Sequence, residues 1–131
     1  MKVSDNQIRF VLIDSVNDDI MQLWEINSDL QREFGSEPNL IERTVKLILE
    51  YLETGLICAG KLDWKNSSPE FNRISLSEAQ AVIRDHENWK NFDSNSGKEW
   101  SYALSSTNLE NSIAEENRLA TIVKNGAQHN S

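Results

Sequence analysis

The stretch from Asn39 to Gly55 constrains this chain more than any other part of it. Placed at about 100° per residue, Leu40, Ile41, Val45, Leu47, Ile48, Leu49, Tyr51 and Leu52 cover more than half of a helical wheel. A helix apolar over so much of its circumference needs neighbours on several sides, so the spacing predicts a helix at the centre of the fold. Asn39 with Glu42 reads as the capping pair that starts it, and Gly55 as the left-handed residue that stops it. Its charges, Glu42, Arg43, Lys46, Glu50 and Glu53, occupy the one remaining strip. Directly beyond Gly55, the short apolar run Leu56 to Leu62 predicts a buried strand.

Other elements follow from similar signals. Ser4-x-x-Gln7 opens a short first helix through Ile8, Val11 and Leu12. Asn17 or Asp18 is expected to cap a second helix that runs to Phe34 and stops at a left-handed Gly35, with Ile20, Leu23, Trp24, Leu30 and Phe34 on one face. Ser75-x-x-Glu78 opens a fourth helix ending near Lys90. Trp100, Tyr102 and Leu104 alternate as a half-buried strand expected to pair antiparallel with the first, and Thr107 with Glu110 opens a last helix. Asp63 to Pro69 and Asn91 to Lys98 read as polar loops. The expected architecture is α+β and mostly helical, with about five helices and a small antiparallel sheet of two or three strands. At 131 residues the chain makes one domain, spanning 1–124, with 125–131 as a flexible C-terminal tail.

Reactive machinery is sparse. His86 stands between Asp85 and Glu87 on the expected fourth helix, where adjacent side chains do not face one another, and His129 falls in the tail. Cys58, the sole cysteine, has Ile57 and Ala59 beside it and reads as a buried, inert thiol. No glycine-rich phosphate loop, multi-cysteine zinc module or calcium loop is present in the sequence. Asn66-Ser67-Ser68 matches a glycosylation sequon by chance, because no early apolar run is long enough for a signal-peptide core. Nor does any run approach the roughly 18 to 20 apolar residues of a membrane span. The expectation is a cytoplasmic protein that is not an enzyme and uses no metal or cofactor.

Charge carries the functional signal. Thirteen basic side chains stand against 21 acidic ones, a net −8, which argues against nucleic acid and anionic lipid and for a basic partner. Residues 1–55 alone hold five basic and eleven acidic side chains. On the expected second helix, Asp18, Gln22, Glu25, Asp29 and Glu33 fall in one narrow stripe opposite the apolar face. Glu25 with Asp29, and Asp29 with Glu33, are like-charge i,i+4 pairs, each costing about 0.2 to 0.5 kcal/mol, and only Arg32 lies near enough to relieve them. The stripe reads either as an ordinary solvated face or as an anionic docking strip, with Glu37 and Glu42 adding to the acid nearby. Trp64, in a polar loop beside a strand end, either covers the core edge or anchors an interface.

Three short helices, a strand leaving the third through Glu53-Thr54-Gly55-Leu56-Ile57, and a later strand resemble a winged-helix arrangement, which implies DNA binding by analogy. The would-be recognition helix nevertheless carries three acidic and two basic side chains and no Arg, Asn or Gln cluster for base edges. The segments Leu23-Trp24-Glu25-Ile26, Leu56-Ile57-Cys58-Ala59-Gly60-Lys61-Leu62, Ser75-Leu76-Ser77-Glu78-Ala79 and Trp100 through Thr107 look like a group of small bacterial single-domain proteins. Some of that group are immunity proteins of contact-dependent growth inhibition and related polymorphic toxin systems. The resemblance implies a protein that binds and neutralises a cognate, basic toxin domain by occlusion and charge complementarity. It carries no functional residues over, so the contacts expected are those of the charge pattern: Asp18, Gln22, Glu25, Asp29, Glu33 and Trp64. The alternative is a winged-helix DNA-binding transcription regulator.

Overall fold

The chain starts on a closed capping box. Ser4 Oγ accepts from the Gln7 N–H at 3.2 Å, Gln7 Oε1 accepts from the Ser4 N–H at 2.7 Å, and α1 follows as Asp5–Asp18. The structure, a computed structural model, describes residues 3–63, 70–90 and 100–129, with side chains as far as Asn125. Met21–Gln22 form β1 and Leu23–Phe34 form α2. Then come α3 (Leu40–Thr54), β2 (Ile57–Asp63), β3 (Glu70–Arg73), α4 (Leu76–Arg84), a 3-10 turn (His86–Trp89), β4 (Trp100–Ser106) and α5 (Leu109–His129).

Four strands lie antiparallel in the order β1-β4-β2-β3. The expected pairing of the two apolar strands is present, running from Ile57 opposite Ser106 to Asp63 opposite Trp100. The sheet is wider than the two or three strands expected. β1 adds Met21 opposite Leu104 and Gln22 opposite Ala103, while β3 adds Gly60 opposite Arg73 through Asp63 opposite Glu70. α4 and the 3-10 turn intervene between β3 and β4, so the two central strands meet across an insertion rather than a tight turn.

Several local expectations are corrected. Asn17 and Asp18 do not cap the second helix: α1 runs through to Asp18, the chain extends at Asp19, and α2 begins only after Gln22. The reason is long-range, since Met21 and Gln22 are drawn into the ladder with β4. Gly35 keeps right-handed angles (φ −57°, ψ −22°), and the turn closes by the Glu37 N–H donating to the Phe34 carbonyl at 2.8 Å. Asn39 takes the left-handed conformation (φ 58°) and makes no side-chain cap, so its pairing with Glu42 is not formed. Gly55 behaves as expected: at φ 80° its N–H donates to the Leu52 carbonyl while the Leu56 N–H reaches the Tyr51 carbonyl, each at 3.1 Å. The fourth helix stops at Arg84, leaving His86 exposed on the 3-10 turn, and α5 continues as helix to His129 where a tail from residue 125 was expected.

The centre of the fold is α1 rather than α3. Ile8, Leu12 and Ile13 are completely buried and Val16 nearly so, and α1 touches α2, α3, α5 and β4. α3 buries Leu40, Leu47, Ile48, Tyr51 and Leu52 but leaves Ile41, Val45 and Leu49 only half covered. Its wide apolar face spreads over α4 and β2 as well as α1. Trp89 seals the end of α4, its indole N–H donating to the Ile83 carbonyl at 2.9 Å.

At Gly60 the approach of β3 to β2 leaves no room for a side chain. A Cβ there would lie 2.5 Å from the Asn72 carbonyl oxygen and 2.7 Å from Phe71 Cζ. Gly60→Ala is therefore expected to cost on the order of 1 to 3 kcal/mol in urea denaturation, because backbone as well as a ring must move. Gly55→Ala, strained at positive φ but facing open space, should cost about 1 kcal/mol. An unchanged midpoint for Gly60→Ala would show that β3 does not close on β2 as described.

Candidate functional site

Breaking the long helix at Asp19 separates the predicted stripe and then partly rebuilds it. Gln22 is 7% exposed and fully engaged. Its Nε2 and backbone N–H both donate to Glu25 Oε1 at 3.1 Å, and its Oε1 accepts from Ser101 Oγ at 2.7 Å. Gln22 and Glu25 thus start α2 and tie it to β4; Glu25 keeps its i,i+4 relation to Asp29 on α2, but neither it nor Gln22 lines the groove described next. Trp64 lies outside the described residues.

Asp18, Asp29 and Glu33 come together again, now from two helices, on a groove of about 460 Å³ beside α1 and α2. From α1 the lining is Gln7, Phe10, Val11, Asp14, Ser15 and Asp18, an unbroken i, i+3, i+4 face running the length of the helix. α2 contributes Asp29, Arg32, Glu33 and Phe34, and Met21 and Val123 of α5 complete it. The groove therefore mixes an apolar lining of Phe10, Val11, Met21, Phe34 and Val123 with four carboxylates, against which stands one guanidinium, Arg32.

These carboxylates are unequally compensated. Asp29 accepts from Ser15 Oγ at 3.2 Å and pairs with Arg32 at 3.0 Å, though Arg32 is itself 70% exposed. Asp18 and Glu33 are exposed and have no hydrogen bond or ion pair among the described residues. Asp14 faces the Glu116 carboxyl of α5. Asp14 is exposed at the groove rim, yet desolvation by the groove walls first, then Glu116, and then the charges of Asp18 and Asp29, push its carboxyl above its ordinary pKa.

Elsewhere part of the acid is paired within the chain, while Glu42, Glu53, Glu78 and Glu110 stand exposed with no ion pair among the described residues. Arg43 binds Glu37 at 2.7 Å and Asp5 at 2.8 Å, so Glu37, 8% exposed at its side chain, adds nothing to a free anionic face. Arg9 holds Glu50 at 3.1 Å. A second cavity, of about 720 Å³ between α1, α3 and α5, is lined by these same paired groups, including Arg9 with Glu50 and Arg118 with Glu115. Tyr51 there donates to Glu115 at 2.7 Å, and burial followed by that carboxylate raises the phenol's pKa. Cys58 is buried, its thiol pushed up by desolvation against a small opposing effect of Arg73. No three His, Cys, Asp or Glu side chains among the described residues are grouped to hold a metal ion, and no described helix is long and apolar enough to cross a membrane.

Asp14 is the groove residue that sequence reasoning missed. Its signal was present, for Asp14 and Asp18 are i,i+4 neighbours beyond Phe10 and Val11, but it is visible only if the first helix is carried to its true end. No family model matches the chain, and no curated protein or solved structure matches it significantly.

Asp14 also yields a test. Because its folded pKa lies above the unfolded value, its protonated form favours folding, and that contribution is lost as pH rises through the raised value. At neutral pH the ionised carboxyl is a burden, so Asp14→Asn should raise the thermal midpoint at pH 7. The gain should shrink as pH falls into the carboxylate range. A variant less stable than the parent at pH 7 would contradict the arrangement.

Proposed function

We propose that this protein is an antidote that binds a cognate basic toxin domain in the cytoplasm and neutralises it by covering a basic nucleic-acid-binding or catalytic surface. The observation that carries this reading is the groove on α1 and α2, where four carboxylates sit beside an apolar lining and Arg32 is the one cation among the described residues that line it. Such a face costs the free protein something and repays it when a cationic surface arrives. Opposite fields also raise encounter rates by about 10 to 1000-fold, which suits a protein that must capture its target before damage is done.

A DNA-binding role has less support. It needs a cluster of free cations on the third helix and beside it, yet Arg43 is spent on Asp5, Glu37 and the Val3 carbonyl, and Lys90 on Glu87, which leaves Lys46 as the exposed cation of α3 without an ion pair among the described residues. Phosphate backbones reward unpaired lysine and arginine.

The reading is checked by co-purification with candidate toxin domains drawn from neighbouring genes and by protection of cells expressing the domain that binds. Asp18 and Glu33 are the residues to reverse, since both are exposed and unpaired among the described residues. The double variant Asp18→Lys with Glu33→Lys should keep the parent's circular dichroism and slow association at least about ten-fold at low salt. An on-rate equal to the parent's removes the groove from the interface.

A further inference from the structure

We infer that the groove receives a basic amphipathic helix of the partner, its apolar side chains on Phe10, Val11 and Phe34 and its lysines or arginines against Asp14, Asp18, Asp29 and Glu33. This rests on the antidote reading and names the partner segment that the site would take.

Three observations select that occupant. The α1 face from Gln7 to Asp18 spans twelve residues, about 16 Å from first to last at 1.5 Å per residue, so the site is a trough rather than a socket. Its volume of about 460 Å³ holds inserted side chains while the body of a guest helix rides above them. The carboxylates are spread along this trough on both helices, Asp14 and Asp18 one turn apart on α1, Asp29 and Glu33 one turn apart on α2. Cations spaced three or four residues apart on one helix meet that spacing, whereas a small cation meets one end of it only. The apolar residues lie at the same i, i+3, i+4 positions as the acids, which fits a guest that alternates leucine and lysine at helical period better than a uniformly charged strand.

The probe is a synthetic 18-residue helix of leucine and lysine with leucines at i, i+3, i+4 and i+7. It is compared with a scrambled peptide of the same composition and with one carrying glutamate for lysine. Each is titrated by calorimetry against the full chain and against Asp18→Lys with Glu33→Lys. The amphipathic peptide should bind the parent at least about ten-fold more tightly than the scramble. Its affinity should fall at least about ten-fold on the double variant and weaken steeply with added salt. Amide shifts should move at Phe10, Val11 and Phe34. Equal binding of the scramble, of the glutamate peptide or of the double variant overturns the inference. So does self-association of the chain that the double variant abolishes, because a second copy would then be the occupant. If the toxin domain binds the parent while the amphipathic peptide does not, the inference falls and the antidote reading stands. If the peptide binds in the groove and no toxin domain does, the reverse holds.

Discussion

The pairing of Met21 with Leu104 and of Gln22 with Ala103 is the constraint on which the rest of the molecule depends. Without it, residues 5 to 34 read as helix nearly throughout, a rod of about 45 Å at 1.5 Å per residue, too long to pack inside one small domain. Two ladder positions extend the chain long enough for α2 to fold back against α1. Gln22 secures the break twice over, through the Glu25 carboxylate at the start of α2 and Ser101 on β4. A buried amide in this position is tolerated because both its donor and its acceptor atoms are answered.

From that fold-back comes the groove. α1 has a buried face of Ile8, Leu12, Ile13 and Val16 and, next to it, the face from Gln7 to Asp18 that α2 only partly covers. A purely structural design would place cations beside Asp14, Asp18 and Glu33, as Arg43 is placed beside Asp5 and Glu37. Arg9 and Arg43 are engaged with Glu50, Asp5 and Glu37 and do not line the groove. Repulsions of a few tenths of a kcal/mol per pair are small beside a folding free energy of about 5 to 15 kcal/mol. The scaffold therefore carries the conflict easily, and conflicts of this kind concentrate where a surface has a use beyond folding.

Elements written in local patterns were legible. The Ser4 and Ser75 caps, Gly55 as a left-handed stop and the pairing of the two apolar strands all emerge from residues a few positions apart or from alternation. What was lost was long-range. Met21 and Gln22 have no strand signature of their own, since two residues have no period, and Glu70–Arg73 is polar enough to read as loop. Both become strands because a longer neighbour offers them hydrogen bonds. The acidic site suffered the same error. Placing Asp18 on the second helix put Gln22 and Glu25 in line with it and hid Asp14, although the carboxylate surplus of this half of the chain was read correctly.

The last helix shows how the groove wall is held. Asn17 donates to the Ser112 carbonyl at 3.3 Å and to Glu116 at 2.7 Å, the Ser112 hydroxyl returns a bond to Asn17, and Leu119 is completely buried. On the side facing α3, Glu115 accepts from Tyr51 and from two nitrogens of Arg118, which holds its carboxyl below the usual range. That attachment is present above the unfolded carboxylate pKa and fades in acid, whereas Asp14, its pKa raised, favours the fold when protonated and loses that contribution as pH rises. At neutral pH α5 is therefore carried by Glu115, Asn17 and Leu119, with Asp14 an unfavourable charge beside it. Asp14 of α1 and Val123 of α5 both line the groove, so the unfavourable charge at neutral pH sits where the proposed basic partner would offset it. The cost to the free protein and the chemistry proposed for its partner rest on one arrangement of charge.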